Sequence, residues 1–236
     1  MNVYIDCGTH LGQGIEAHIN VWNIDQTWKI FGFEANPFTF TELLELKKLK
    51  THAWHTWPLV EVFNLAVWNE NKEMDFGCST YEFDKNSMIN VNVLNFINEH
   101  PNLISKDQLN EETFVMANKI DGSSTLYYKP LKRFLNKYGN DVQKAIKFET
   151  VVKVQGINLV KFIQDNTSND DKIYMKFDIE RAEFPVLFSL IKSDVLTRVV
   201  AMDVEWHNYN NLFLKVQKLY LKFMLKKKGI KISDWE

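Results

Sequence analysis

The chain has 236 residues, of which 45% are hydrophobic and 25% are charged, and its formal net charge is -2. These proportions are ordinary for one folded domain covering residues 1–236, and they exclude a fibrous or largely disordered protein. A charge so close to zero argues against a global electrostatic grip on nucleic acid, which leaves only a local basic patch. Three of the nine glycines lie between positions 8 and 14, and this cluster is the first indication of a ligand site.

The first third of the chain alternates between predicted strands and predicted helices. Short apolar runs predict strands at residues 3–6, 29–33 and 60–67. Apolar residues at helical spacing predict helices at residues 15–23 and 39–49. This alternation indicates right-handed βαβ crossovers and a parallel sheet.

The middle of the chain is polar and weakly periodic. We predict a hairpin strand at residues 72–76 and a second strand at residues 150–154. Residues 78–125 are rich in asparagine and are interpreted as an insertion with one helix near 91–99 and long loops, of the kind that form lids or binding segments. Further helices are predicted at 130–138 and 156–165.

The pattern of strands and helices returns in the last third. Strands are predicted at residues 172–179, 198–205 and 230–234. Helices are predicted at 181–191, interrupted early by Pro185, and at 212–228, capped by Gly229. The whole pattern predicts an α/β fold with a doubly wound, mostly parallel, Rossmann-like sheet.

The glycine cluster follows the first predicted strand and precedes the first predicted helix. Glycine permits a positive φ and close approach of a ligand, and a helix N-terminus offers N–H groups to an anionic group. The spacing DxGxxxGxG, with glycines at 8, 12 and 14, differs from the dinucleotide fingerprint GxGxxG. A pyrophosphate cradle is therefore disfavoured, and a plain turn remains the alternative interpretation.

Two further features lie at the ends of the next two predicted strands. Glu34 follows the second strand, where a carboxylate can accept both hydroxyls of a ribose. Ala66 and Val67 close the third strand, where small apolar groups suit an adenine slot. Taken singly, these are a surface acid and the end of a core strand. Together they match the ligand crevice expected at the carboxyl ends of an open α/β sheet.

A polar cluster follows the later strands. Asp178 and Glu180 follow one strand, Glu205 and His207 follow the next, and all four are expected to face the same crevice. A carboxylate or an imidazole there can take a proton from a reacting hydroxyl. The alternatives are a helix N-cap for Asp178 and a surface loop for His207, and we interpret Glu183 as a solvated helix residue. An Mg²⁺ site is conceivable but disfavoured, and we expect no metal.

The stretches IDCGTHLGQG, FGFEANP, FNLAVWNENKEMDF, SSTL, KIYMKFDIERAE and VAMDVEWH occur in this order along the chain. Together they resemble the FkbM-type family of S-adenosylmethionine-dependent methyltransferases. The resemblance implies a class I methyltransferase fold, with S-adenosylmethionine as the cofactor. It also implies methyl transfer to a hydroxyl oxygen of a sugar or another metabolite.

The resemblance also implies roles for individual residues. Asp178 and Glu180 would lie beside the methyl group and the acceptor, with His207 as another candidate base. The sequence departs from the family pattern at three places: Thr9-His10 stands for Ala-Asn, Ala35 for Pro, and Arg181 for Gly. The bulk and charge of Arg181 are expected to reshape the acceptor pocket. The chain also leaves little room for the usual final antiparallel strand, so we expect a shortened C-terminal edge. The residues expected to hold the cofactor are Asp6, Gly8, Thr9, His10, Gly12, Gln13, Glu34, Ala35, Asn36, Ala66 and Val67.

Three other functions are alternatives: an NAD-linked oxidoreductase, a non-catalytic cofactor-binding module and an RNA methyltransferase. The glycine spacing disfavours the oxidoreductase. The RNA methyltransferase would use a lysine-rich C-terminal stretch to bind phosphates. We favour instead a helix whose lysine stems cover apolar surface and whose apolar residues form a packed face. A small-molecule or carbohydrate acceptor, no membrane partner and a cytoplasmic location are expected. The predicted packed face comprises Leu212, Phe213, Val216, Leu219, Tyr220, Phe223 and Leu225.

Overall fold

The computed structural model describes residues 1–50, 52–80, 148–180, 182–207 and 212–235. The predicted helices near 91–99 and at 130–138 lie outside these ranges, as does most of the predicted insertion. In chain order the main elements are β1 (Asn2–Cys7), α1 (Gln13–Trp22), β2 (Lys29–Phe33), α2 (Pro37–Leu49), β3 (Val60–Phe63), β4 (Ala66–Trp68), β5 (Lys72–Thr80), β6 (Phe148–Asn158), α3 (Leu159–Asn166), β7 (Lys172–Phe177), α4 (Glu183–Ile191), β8 (Val199–Val204), α5 (Leu212–Lys227) and β9 (Lys231–Asp234).

Six of the strands form one sheet in the order β3-β2-β1-β7-β8-β9, and every pairing in it is parallel. The strand order reverses beside β1, because β2 lies on one side of it and β7 on the other. This reversal is the topological switch point of a doubly wound sheet, and ligands bind at the carboxyl ends of the strands there. The predicted Rossmann-like α/β fold is confirmed, and its C-terminal edge is the parallel strand β9.

Helices cover both faces of this sheet. On one face Tyr4 packs in a cluster with Ile15 of α1 and with Trp54, which lies in a short 3-10 turn, Ala53–Thr56. On the other face Val3 and Ile5 pack in a larger cluster that includes residues of α3, α4 and α5. The alternation of Val3, Tyr4 and Ile5 between two buried clusters is the expected signature of a strand buried on both sides.

The predicted strand at residues 60–67 is wrong as a single strand. β3 ends at Phe63, and β4 belongs to a second sheet in the order β4-β6-β5. Asn64 explains the break, because its side-chain amide donates to the backbone carbonyls of Glu34 at 2.8 Å and of Ala35 at 3.2 Å. These bonds carry the chain across the end of β2 instead of onward along the main sheet.

The second sheet corrects two more boundaries. The strand predicted at residues 72–76 is confirmed and extends to Thr80, where it pairs with Phe148 in a long antiparallel ladder with β6. The helix predicted at 156–165 begins later, because β6 continues to Asn158. The side chain of Asn158 accepts a hydrogen bond from the Lys161 amide and so caps α3.

Pro185 does not interrupt α4. The helix begins at Glu183, so Pro185 lies in the first turn, where its missing N–H removes no helical hydrogen bond. Ala182 stands at the N-cap position, and the alternative interpretation of Asp178 as a helix N-cap is therefore wrong.

The predicted packed face of α5 is also wrong. Leu221 and Leu225 are fully buried, whereas Leu219 and Phe223 are 69% and 63% exposed. Of the seven residues predicted to form the packed face, only Leu225 is buried. Gly229 has the left-handed φ of +82° expected of the residue that ends the helix. Exposed members of the set are Leu212, Phe213, Val216, Leu219, Tyr220 and Phe223.

Among the described residues, no helix combines the length and the apolar character needed to cross a bilayer.

Candidate active site

A crevice of about 290 Å³ opens at the carboxyl ends of the strands, beside the switch point. Most of the residues expected to bind ligand line it, whereas Asp6, Gly12 and His207 are not among its described lining residues. The crevice therefore unites four of the segments that the sequence singled out, those near residues 8–13, 34–36, 66–67 and 178–180. The predicted residues that line it are Gly8, Thr9, His10, Gln13, Glu34, Ala35, Asn36, Ala66, Val67, Asp178 and Glu180.

Two glycines give the loop after β1 its shape. Gly8 has a φ of +85°, and a Cβ at this position would lie 1.9 Å from the backbone oxygen of Asp178. The loops after β1 and β7 therefore touch in a way that only glycine allows. Gly12 has a φ of +96°, and its missing Cβ leaves room for the ring of Trp54. Gly12 thus shapes the turn and its packing and is not part of the crevice wall.

The backbone amides of this loop are bonded within the protein. The Gly8 and Thr9 amides donate to the Phe33 carbonyl at 3.0 and 2.9 Å. The other three also have acceptors: Glu34 for His10, the Gln13 side chain for Leu11, and the Thr9 carbonyl for Gly12. These five amides therefore have acceptors within the protein, which disfavours a phosphate bound by residues 8–12.

Glu34 ties two loops together at the floor of the crevice. Its Oε2 accepts a hydrogen bond from the His10 amide at 2.8 Å, and its Oε1 accepts one from the Asn36 amide at 2.7 Å. Burial raises the pKa of Glu34, and the two amide bonds oppose that rise. Each carboxylate oxygen retains a second lone pair, so the side chain can still accept the two hydroxyls of a ribose.

The wall beside Glu34 is apolar. Ala66 and Val67 line it as predicted, together with Phe33, Leu65 and Phe76. Flat apolar surfaces of this kind suit a heteroaromatic ring. Phe76 was missed because it lies on β5, and the pairing of β5 with β6 joins segments about 70 residues apart, which no local pattern indicates.

A lysine on β7, which the sequence analysis missed, organises the charged floor. Lys176 is buried, and its Nζ donates to the Gly8 carbonyl at 2.8 Å and to Asp178 Oδ2 at 3.2 Å. It also lies 3.5 Å from Oδ1 of Asp6, its direct neighbour on β1. Its signal in the sequence is a charged residue in the interior of an otherwise apolar strand.

Asp6 supports the glycine loop from beneath. It is fully buried, and the burial raises its pKa against the opposing charges of Lys176 and His18. A Cβ on Gly14 would lie 2.7 Å from Oδ2 of Asp6, so this glycine is required for α1 to start over the carboxylate. The structure therefore places Asp6 behind the loop and outside the described lining of the crevice.

His18 connects α1 to β8, a strand two positions away from β1 in the sheet. Its Nε2 lies 2.9 Å from Oδ2 of Asp203 on β8, and its Nδ1 lies 2.7 Å from the Gly14 carbonyl. The ring of Trp235 lies 4.8 Å from the His18 ring and also lines the crevice. Trp235 was missed because it follows the last strand, far along the chain from every motif.

His207 lies among four carboxylates. Its Nδ1 is 2.8 Å from Oε1 of Glu183, and its Nε2 is 3.4 to 3.9 Å from oxygens of Glu205, Glu180 and Asp178. Burial disfavours the charged ring, but hydrogen bonds with Glu183 and Glu205 outweigh it and raise the pKa of His207 to about 10. A pKa of about 10 keeps the proton on His207 at neutral pH, which favours Asp178 over His207 as the base.

Glu183 is not a solvated helix residue. It is fully buried, and its Oε1 accepts hydrogen bonds from the Ile179 amide at 3.0 Å and from His207. The buried carboxylate fixes the orientation of the His207 ring and holds the turn after β7. Glu183 and His207 therefore stabilise the loop that carries Asp178 and Glu180.

Ligand atoms of Asp178, Glu205 and His207 lie within 4.8 Å of one another, a spacing that a divalent cation can bridge. A metal there would have to displace the proton of His207, whose pKa is about 10. It would also face the ammonium group of Lys176, 3.2 Å from Asp178. The two resident cations therefore oppose a metal at this place.

Asp178 and Glu180 form the polar end of the crevice. The Asp178 side chain is 32% exposed and that of Glu180 is 16% exposed. Glu180 adopts a φ of +52°, a left-handed conformation that non-glycine residues rarely adopt outside functional sites. The turn that follows β7 is thus strained at Glu180, and in this conformation both carboxylates line the crevice.

No family model matches the chain, and no curated protein matches it. Among solved structures, the fold is similar to the crystal structure of the methyltransferase FkbM from Methylobacillus flagellatus KT. The match has a TM-score of 0.45 and 9% sequence identity, and it covers 94% of this chain and 37% of that one. The chain thus spans well under half the length of that protein. We therefore infer the function from this chain's own residues.

Proposed function

We propose that the chain is an S-adenosylmethionine-dependent methyltransferase, distantly related to the FkbM-type family, that methylates a hydroxyl oxygen of a sugar or another metabolite. One observation carries the proposal. The crevice joins an apolar wall to a buried ribose-type acid, Glu34, and then to the carboxylates of Asp178 and Glu180. This order matches the adenine, ribose and sulfonium of one extended ligand.

The charge of the crevice favours this cofactor over a dinucleotide. A pyrophosphate requires available amides or cations, whereas the amides of residues 8–12 are bonded internally. Lys176, the cation closest to the loop, is already bonded to the Gly8 carbonyl and to Asp178. A positively charged sulfonium is instead attracted to the carboxylates at the polar end.

S-adenosylmethionine, when bound, supplies an electrophilic methyl group on a positively charged sulfur. Residues of this chain would hold it: Glu34 at the ribose, and Ala66 and Val67 at the adenine. Asp178 is the candidate base, because its carboxylate is partly exposed and is held by Lys176 at 3.2 Å. It would accept the proton of the acceptor hydroxyl as the new carbon–oxygen bond forms and the carbon–sulfur bond breaks.

The acceptor end supports a hydroxyl-rich substrate. Trp235 supplies a flat ring at the edge of the crevice, and Glu180 supplies a second carboxylate beside Asp178. Rings and carboxylates together suit a sugar, since one packs on its C–H face and the other accepts its hydroxyl protons. The orientation of the acceptor would contribute most of the rate, because the methyl group is already activated.

Calorimetric titration with S-adenosylmethionine tests the proposal. Replacing Glu34 with alanine removes the proposed ribose acceptor, and we expect affinity to fall about tenfold to a hundredfold, as for lost hydrogen bonds to a charged group. Asp178→Asn should lower the turnover of any acceptor found, and it should lower the affinity less than Glu34→Ala does, because Glu180 keeps a carboxylate at the polar end. Glu45→Ala, which changes an exposed acid on α2, is the matched control.

Thermal melting without ligand shows whether Glu34→Ala still folds, since the carboxylate also joins two loops. Should that variant unfold, Glu34→Gln keeps one acceptor oxygen and provides the comparison. Wild-type protein that does not bind the cofactor, or a folded Glu34 variant that binds it as tightly as the wild type, contradicts the proposal.

A further inference from the structure

Helix α5 is apolar on two opposite sides. Its inner side is anchored by Leu221 and Leu225, which are fully buried in the larger core cluster. On its outer side four residues recur at helical spacing on one line, which we name the outer stripe. The outer stripe comprises Leu212, Val216, Leu219 and Phe223, which are 76%, 56%, 69% and 63% exposed.

A solvent-facing helix normally carries polar residues opposite its buried side. Four apolar side chains in line over about 16 Å of helix are therefore unexpected, given a rise of about 1.5 Å per residue. Contiguous exposed apolar surface of this kind marks an interaction site. The outer stripe is consequently a candidate docking surface, and none of its residues is among the described lining of the crevice.

The charged residues of α5 itself are all lysines. The sequence has no acid between Glu205 and Asp234. Asp234 pairs with Lys218 and Lys222 at 3.3 and 2.9 Å. Beyond these pairs, Lys226 and Lys227 flank the line of the stripe at the end of the helix, and Lys228 and Lys231 follow; all four are exposed.

This charge pattern selects among possible occupants. A second copy docked stripe to stripe would bring two sets of lysines together, and like charges in contact oppose association. Nucleic acid would match the lysines but would leave Val216, Leu219 and the rest of the stripe exposed to water. An anionic lipid surface matches both, because the apolar residues enter the acyl boundary while the lysines reach the phosphates.

We propose that the outer stripe and the lysines at its end dock α5 in the plane of a membrane that contains anionic lipids. The contact is peripheral, with the inner side of the helix remaining packed on the sheet. It is independent of the proposed methyl transfer and requires no change in the crevice. It differs from the expectation, drawn from the sequence, of no membrane partner.

Vesicle co-sedimentation of the full chain tests this contact. We compare vesicles of phosphatidylcholine alone with vesicles in which about one third of the lipid is phosphatidylserine. Binding is expected only to the anionic vesicles and should weaken as salt is raised. The double variant Leu219→Ser/Phe223→Ser should lose at least about tenfold in affinity, since two exposed apolar groups leave the membrane. Val21→Ser/Leu49→Ser changes two other exposed apolar residues and should bind as the wild type does.

The lysines are tested separately. Lys226→Gln/Lys227→Gln should weaken anionic binding by about 25-fold, taking about fivefold for each lysine near the surface. Lys48→Gln/Lys161→Gln, which alters two exposed lysines on other helices, should have no effect. All of these side chains are exposed, so melting temperatures should stay close to that of the wild type.

Several outcomes would overturn the proposal. One is a wild-type chain that does not sediment with anionic vesicles, and another is vesicle binding that survives Leu219→Ser/Phe223→Ser. A dimer in sedimentation equilibrium that this double variant dissociates would identify a second copy as the occupant. Binding to a random RNA oligonucleotide that depends on Lys226 and Lys227 but not on the stripe, without vesicle binding, would identify nucleic acid.

Discussion

Gly8 and Gly229 have nearly the same positive φ but different surroundings. Substituting each one therefore distinguishes the energetic cost of a left-handed backbone from the cost of a steric clash. Gly8 has a φ of +85° and Gly229 a φ of +82°, yet only Gly8 faces another part of the chain at close range. A Cβ on Gly8 would meet the Asp178 carbonyl, whereas one on Gly229 would meet nothing within 4 Å. The missing side chain at Gly8 is what allows the loop after β1 to approach the loop after β7 so closely.

Alanine at each position should therefore give different losses of stability. We expect Gly229→Ala to lower the free energy of unfolding by about 1–2 kcal/mol, the cost of a left-handed conformation in an L-residue. Gly8→Ala adds a steric clash with backbone and should cost about 3–5 kcal/mol in total. Urea denaturation measures both, and equal losses would show that Gly8 is a turn residue only.

The protonation state of His207 determines the net charge at the polar end of the crevice, because the ring lies close to Asp178 and Glu180. A pKa raised to about 10 means that His207 stabilises the fold fully below about pH 6.5, its ordinary value. That stabilisation declines as pH rises and is lost above about pH 10. We expect NMR to show the protonated ring at pH 8, with its signal assigned by comparison with His207→Gln.

The stability difference between the wild type and His207→Gln should shrink accordingly between about pH 7 and pH 10. A ring that titrates between about pH 6 and 7 would show that the surrounding carboxylates do not hold its proton. It would also return His207 to the list of candidate bases.

At the scale of elements, a row of charges crosses the sheet beneath the crevice. Asp6 on β1, Lys176 on β7 and Asp203 on β8 are register neighbours, and His18 of α1 lies over the last of them. Asp6 and Lys176 are almost completely shielded from solvent. The row fixes α1 and the glycine loop relative to the strands that supply Asp178.

Removing the lysine should destabilise the whole domain. Lys176→Met leaves Asp6 buried without its cation, and loss of one partner of a buried pair costs about 3–5 kcal/mol. Lys172→Met, at the exposed start of the same strand, should change stability by less than about 0.5 kcal/mol. Chemical denaturation measures both.

Adding Asp6→Asn to Lys176→Met removes the unpaired charge and should recover part of the loss. No recovery in this double variant, or a minor effect of Lys176→Met alone, would indicate that the pair is not coupled.

At the scale of the whole molecule, the sequence predicted the features that depend only on neighbouring residues along the chain. Apolar strands at 3–6 and 29–33 and the acid at Glu34 follow from local periodicity and from the rule that ligands bind at strand ends. The second sheet did not follow, because its ladder joins Thr80 to Phe148 across a long stretch of chain. The bonded amides of Gly8, Thr9 and His10 did not follow either, since only the fold brings them near their acceptors on β2 and Glu34.

The charge of His207 and the exposure of α5 did not follow from the sequence, for related reasons. A histidine motif does not show how many carboxylates converge on it from other elements. Apolar residues at helical spacing show that a helix has an apolar side, but not which of two sides packs on the sheet. In α5 both sides are apolar, and the pattern alone cannot assign the core to Leu221 and Leu225.

The antiparallel ladder of β5 and β6 has a consequence for how such a protein can diversify. Thr80 and Phe148 are register partners, so the two chain positions that flank residues 81–147 lie side by side at the end of one ladder. A two-residue hairpin turn could join these strands directly without moving either of them. The intervening stretch of sequence is therefore a natural place to shorten or replace the chain, with the register of β5 and β6 kept as it is.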